Sequence, residues 1–199
     1  KEHTDWRYPY AGLLALTEIV QYITEPQQVA ALIPWIQQGV ESPNPKIRYA
    51  AFLLIKQTCE DYVRDFQGEH YETILPLIGK GLLDSVSRVK LCSLGCLASF
   101  MYGASSSIVS QNLVSNLETL MNLLETTQPS YIIESACAAF ATVFSSSKDD
   151  LTNWYELAYS KLIRLIQSKQ GSNYKRLQGR IVECITIMGR AVGREVFAK

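Results

Sequence analysis

The chain has 199 residues, 47% of them hydrophobic and 19% charged, with nineteen basic and nineteen acidic side chains in balance. That hydrophobic share is enough to bury a core and excludes a disordered chain. Zero net charge removes any bulk electrostatic drive towards nucleic acid or an anionic membrane.

Helical periodicity runs from end to end, and no period-two run bounded by hairpin turns appears. In chain order the predicted helices are 6–23, 25–40, 45–64, 67–83, 87–102, 108–125, 129–145, 150–168 and 173–193. Val29, Leu32, Ile33, Ile36 and Val40 form an apolar stripe of period 3.6 on the second of these. Pro26 stands where a helix begins and its missing donor does no harm. Pro43 and Pro45 punctuate a turn, whereas Pro34 and Pro76 fall inside predicted helices and are expected to kink them. Short polar links occupy 103–107 and 145–150, and 170–173 closes the last hairpin. No apolar run reaches the roughly eighteen residues of a membrane span.

A block recurs along this series. Ser42-Pro43-Asn44-Pro45-Lys46-Ile47-Arg48-Tyr49-Ala50-Ala51 is its clearest copy, and weaker ones start near Arg7, Arg88, Pro129 and Arg176. The residue after the β-branched position falls at Pro9, Arg48, Lys90, Glu134 and Gln178, giving intervals of 39, 42, 44 and 44 residues. Periods of about 40–47 residues with two helices each are the HEAT and armadillo range. The expected fold is therefore all-α, a HEAT-repeat α-solenoid: a right-handed superhelix of antiparallel helix hairpins. One array is expected over 1–199, with units at 1–23 (half), 25–64, 67–102, 108–145 and 150–193. The chain begins without methionine and in mid-repeat, so a piece of a longer protein is expected. Small residues on second helices (Ala50, Ala51, Gly95, Ala136, Ala138, Ala139, Ala141, Gly179) are expected where neighbouring second helices approach closely.

Three segments carry a family resemblance. In the last unit, Leu177-Gln178-Gly179-Arg180-Ile181-Val182-Glu183-Cys184-Ile185, continuing to Gly189-Arg190-Ala191-Val192-Gly193-Arg194-Glu195-Val196-Phe197, resembles a segment of the karyopherin-beta (importin-beta) superfamily. Trp6-Arg7-Tyr8-Pro9-Tyr10-Ala11-Gly12-Leu13-Leu14-Ala15-Leu16 and Pro45-Lys46-Ile47-Arg48-Tyr49-Ala50-Ala51 are similar to two further helices of its importin-five, or karyopherin-beta-three, branch. The resemblance implies the middle of a nuclear transport receptor that shuttles between cytoplasm and nucleus. It implies protein cargo with basic nuclear-localisation signals on the concave face, release by Ran-GTP acting mainly elsewhere in the receptor, and phenylalanine-glycine nucleoporins docking between outer helices. Neither nucleic acid, membrane nor cofactor is implied. A structural HEAT scaffold of the phosphatase or chromatin type is the alternative.

The cargo-binding candidates are Glu18, Gln21, Tyr22, Gln57, Glu60, Asp61, Tyr102 and Glu183. Acids and amides late in second helices suit lysine or arginine heads, and tyrosines (Tyr62 among them) suit the aliphatic stems; a solvated polar face is the plainer reading. Arg48, Lys90 and Arg176 at second-helix starts read as a ladder stitching neighbouring units, with Ser42 and Asp84 six residues before two of them; a partner site is the alternative. Trp6, Trp35 and Trp154 read as core, or, for the latter two, as exposed rings that meet a nucleoporin. The five cysteines, Cys59, Cys92, Cys96, Cys137 and Cys184, form no CxxC pair and read as buried thiols of a reducing compartment, the cytosol or nucleus. His3 and His70 lack partners at metal spacing, Glu118 and Glu125 share a face with nothing that tunes them, and no catalytic motif appears, so no enzyme and no metal site is expected.

Overall fold

The computed structural model describes residues 5–127, 129–149 and 151–197; His3 and Asp150, which closes a predicted link, lie outside them. Among the described residues every regular element is a helix. The HEAT-type solenoid reading holds: helix hairpins stack side by side in each of two compact units, the first ending at Ser105 and the second starting at Ser106.

In the first unit the second helices of successive hairpins are α1 (Arg7–Ile19), α4 (Pro45–Asp61) and α6 (Ser87–Gly103). They pack in that order, α1 on α4 and α4 on α6. The predicted helix 25–40 is two pieces, α2 (Pro26–Ala30) and α3 (Ile33–Val40), with Pro34 in the first turn of the second piece. A proline, with no N–H to donate to the preceding turn, thus starts a new helix instead of bending an old one. Pro76 stays inside the continuous α5 (Asp65–Leu82). Helix α4 starts where the sequence says it should: the Asn44 side chain accepts the Lys46 amide at 3.0 Å and Pro45 follows as first residue.

Phe52, Leu54, Ile55, Phe66, Ile74, Ile78, Leu94 and Phe100 fill this unit's core. Each such burial contributes about 1.5–3 kcal/mol. Buried Gln67 is fully used: its amide nitrogen donates to the Cys59 carbonyl at 3.0 Å and its oxygen accepts the Arg64 amide at 2.9 Å. Arg64 itself holds φ of 79°, the left-handed turn that lets α5 follow α4 so closely.

Of the small residues on second helices, Ala50, Ala51, Ala136, Ala139 and Ala141 are buried. A side chain on Gly39 would run into the Ala51 Cβ, so Ala51 also lies close to α3 of its own hairpin. A methyl on Gly81 of α5 would overlap the Phe52 ring and the Ser93 Cβ. Gly95 would meet only the Lys56 stem, at 3.5 Å, and Gly179 and Ala138 are exposed.

The second unit has α7 (Ser106–Thr126) against α8 (Ser130–Ser146), and α9 (Thr152–Ser168) against α10 (Lys175–Val192), with α8 on α10. Phe140 and Phe144 stack at 5.0 Å in its core beside Leu117, Leu162, Ile181 and Met188. A short α11 (Arg194–Phe197) folds back so that the Phe197 ring covers Gly189.

Two rungs of the predicted ladder, Arg48 and Arg176, reach across hairpins, whereas Lys90 lies near Asp84 without an ion pair among the described residues. Arg48 grips Asp84 of the next hairpin through two bonds of 2.6 and 3.0 Å, and donates to the carbonyls of Ser42 at 3.0 Å and Pro43 at 3.1 Å. Asp84 also accepts the Val86 amide at 2.8 Å. Burial pushes the Asp84 carboxyl up, but the Arg48 guanidinium, the Val86 N–H and nearby Lys90 pull harder, and it ends below the usual carboxylate range. In the second unit Arg176 meets Glu134 at 2.8 Å.

Candidate protein-binding face

One stripe of α4 stays outside the core: Lys46, Tyr49, Leu53, Gln57 and Glu60, at helical spacing along the side opposite Ala51, Leu54, Ile55 and Thr58. Helix α6 repeats it with Arg88, Gly95, Ser99 and Tyr102. Contacts join the stripes: Ser99 donates to Glu60 at 2.9 Å, and Arg88 lies over the Tyr49 ring at 4.2 Å. On the other side Lys46 lies over the Trp6 ring at 4.1 Å, linking α4 to the start of α1.

Seven of the eight predicted residues lie at the carboxyl-terminal ends of these helices. Glu18, Gln21 and Tyr22 close α1 and its 3-10 extension; Gln57, Glu60 and Asp61 close α4; Tyr102 closes α6. Tyr22 and Tyr102 are 76% and 77% exposed, so their ring faces are open to a ligand. Gln57 donates to both Asp61 carboxylate oxygens at 3.1 Å, and Lys56 pairs with Glu60 at 2.9 Å. Those bonds orient the acids and leave lone pairs for cations arriving from solvent. The Glu18 carboxylate has no ion-pair partner among the described residues.

Other expectations need correction. Tyr62 is not free to hold a lysine stem: its hydroxyl lies against the carbonyls of Val20, at 2.8 Å, and Ile23, tying α4 to the end of α1. Glu183 stands in the second unit, where Arg180 pairs with it at 2.7 Å; both line a groove of about 230 Å³ with Cys137, Ala138 and Thr142. Trp35 is 59% exposed, against its core reading, whereas Trp6 and Trp154 are half-buried. His70 sets its ring against the edge of Phe66, and Glu125 pairs with Lys161.

All five cysteines are buried and unbridged. Burial pushes the Cys59 thiol far up, which keeps it protonated and unreactive. Among the described residues no group of three or more His, Cys, Asp or Glu side chains could hold a metal ion.

Sequence reasoning missed the other end of the face. The sequence pattern singles out Arg48, Lys90 and Arg176 at the helix starts and gives no role to Lys46 and Arg88, yet each of these two sits on an aromatic ring from the preceding second helix. The signal was available: Trp6 to Lys46 and Tyr49 to Arg88 are separated by 40 and 39 residues, one repeat.

No family model matches the chain. It is 26% identical over 197 residues to importin subunit beta-3 of Saccharomyces cerevisiae, an alignment covering 98% of this chain and 18% of that protein. Among solved structures it superposes on Kap121p bound to Pho4p with a TM-score of 0.88 at 25% identity, and on Kap121p bound to Nup53p with 0.89 at 24%. Each superposition covers 99% of this chain and 19% of that one. The chain thus spans about a fifth of the length of the relatives it matches. These relatives are importins and karyopherins, which bears out the resemblance to the karyopherin-beta superfamily and its beta-three branch.

Proposed function

We propose that this chain, a homologue of importin beta-3 and Kap121p, is part of a nuclear transport receptor and holds a basic segment of its protein cargo on the second-helix face of the first unit. The observation that carries the reading is the grouping of Glu18, Gln57, Glu60 and Asp61 between two exposed tyrosines, Tyr22 and Tyr102. Carboxylates give charge-assisted bonds to lysine or arginine heads, and tyrosine rings cover the stems. Kap121p has been solved with several protein segments, including Pho4p and Nup53p, and the same kind of partner is proposed here.

Within the whole receptor, Ran-GTP binding outside this stretch releases the cargo and the protein shuttles between cytoplasm and nucleus. Exposed Trp35, beside an apolar groove lined by Tyr8, Leu13, Leu16 and Ile47, suits a phenylalanine-glycine nucleoporin repeat. The single array of HEAT units and the role of Glu183 as a further cargo contact are part of the same proposal.

The test is anisotropy titration of a labelled lysine-rich peptide. Reversing both Glu60 and Asp61 to lysine is expected to weaken binding about ten-fold at low salt. Unchanged affinity would remove the acidic end as the cargo site. A HEAT scaffold predicts instead that the whole protein binds Ran-GTP and a basic cargo without mutual competition.

A further inference from the structure

The face described above is polar along its length. Its carboxyl-terminal end carries the acids, and its amino-terminal end carries two cations held in an unusual way. Lys46 lies over Trp6 at 4.1 Å and Arg88 over Tyr49 at 4.2 Å. Trp6 in turn meets Tyr10, ring centres 5.8 Å apart. An aromatic ring fixes a cation by its quadrupole without cancelling the charge. Both heads are therefore positioned, exposed and electrically unspent. Among the described residues neither has a carboxylate partner, and Asp5, at this end of the face, is already taken by Arg7 at 2.7 Å. The contrast with Arg48 is direct: two residues from Lys46, it points to the other side and is consumed by Asp84.

We propose that Lys46 and Arg88 form an acceptor for an acidic side chain of the bound peptide, so that the face reads a segment carrying basic and acidic groups at a set separation. This rests on the cargo reading of the acidic end. The separation follows from helix geometry. Lys46 to Glu60 and Arg88 to Tyr102 are each fourteen residues, or about 21 Å at 1.5 Å per residue. An extended peptide rises about 3.3 Å per residue, so the acidic group belongs about six residues from the basic cluster. The two charges on the ligand must sit in the order that the face imposes, which a purely basic segment cannot satisfy.

The experiment uses the full chain and four labelled peptides in a Gly/Ser background. One has three lysines only; two add a pair of glutamates six residues before or after them; the fourth places the pair two residues away. At about 50 mM salt, one of the six-residue peptides is expected to bind about two- to five-fold tighter than the lysine-only peptide, and the two-residue peptide no tighter. In the double variant Lys46→Gln/Arg88→Gln the gain should vanish, while the lysine-only peptide keeps or improves its affinity. If lysine-only binds and neither six-residue peptide gains, or the gain survives the double variant, the acceptor is overturned and the cargo reading stands. If lysine-only peptide does not bind, the cargo reading fails and takes this inference with it. Both side chains are exposed, and a thermal melt matching the parent verifies that the variants fold.

Discussion

The two units share a fold and differ in what their second helices offer. In the first, α1, α4 and α6 present cations clamped on rings at one end and carboxylates between tyrosines at the other. In the second, α8 offers Ala138, Thr142 and Ser145 to the groove it shares with α10, where Arg180 and Glu183 pair with each other. The structural ladders differ as well. Arg48 and Asp84 form a two-bond pair with side chains only 18% and 9% exposed, whereas Arg176 reaches Glu134 from a position 81% exposed. Stacking hairpins fixes which residues are buried and leaves the outer stripe free to vary, so equal architecture does not imply equal chemistry.

The sharpest way to break that comparison is to remove a rung from each ladder. Asp84→Ala strips Arg48 of its partner and Val86 of its acceptor in a largely buried setting, and is expected to cost about 3 kcal/mol. Arg176→Ala removes an exposed partner but leaves Glu134, only 11% exposed, without its cation, and should cost about 1 kcal/mol, well short of Asp84→Ala. Urea melts of the two variants provide the test; equal losses would show that exposure does not rank these rungs. The acid response carries the same signature. The folded Asp84 carboxyl lies below its usual range, so its contribution is complete above the unfolded value of about 3.9 and is lost as pH falls through the lower folded value. Stability measured from pH 6 down to pH 3 should therefore fall less steeply for Asp84→Asn than for the parent chain. Parallel slopes would mean that Arg48 does not hold this carboxyl ionised.

Next in size comes a methyl group. Gly81→Ala would push a Cβ into the Phe52 ring and the Ser93 Cβ, and overpacking of this kind costs about 1–3 kcal/mol. A melt indistinguishable from the parent would mean that α5 can draw back from α4 and α6 at no cost.

Much of this was legible beforehand. The repeat spacing and the 3.6 period placed the helices within a few residues, because each hairpin must bury one stripe against its neighbours whatever the details. Proline was harder: Pro34 and Pro76 look alike in sequence, yet one begins a helix and the other rides inside one, a choice made by packing. The close approaches were only partly legible. Gly95, Gly179 and Ala138 on second helices stay half-buried or exposed, while Gly39 and Gly81 on first helices, which the repeat pattern does not mark, leave no room for a Cβ. Seven of the eight candidates fall at the ends of α1, α4 and α6 because residues late in successive second helices recur at the repeat spacing. The cation clamps were missed because a single helix start was read without asking what the residue one repeat earlier would place beneath it.

The smallest expected effect runs the other way. Gly179 lies in the interior of α10, fully in reach of solvent, and a Cβ built there meets nothing within 4 Å. Glycine in a helix interior leaves the unfolded chain more freedom to lose, so Gly179→Ala is expected to stabilise the second unit by about 0.5–1 kcal/mol. The same substitution type would thus destabilise one unit and stabilise the other, since Gly81 is closed in by Phe52 and Gly179 is not. A gain seen in the isolated melt but accompanied by weaker cargo binding would mean that a ligand backbone comes close to α10 at this point. That outcome would move part of the binding face into the second unit, alongside Glu183, four residues further along the same helix. A gain with unchanged binding would keep the recognition chemistry in the first.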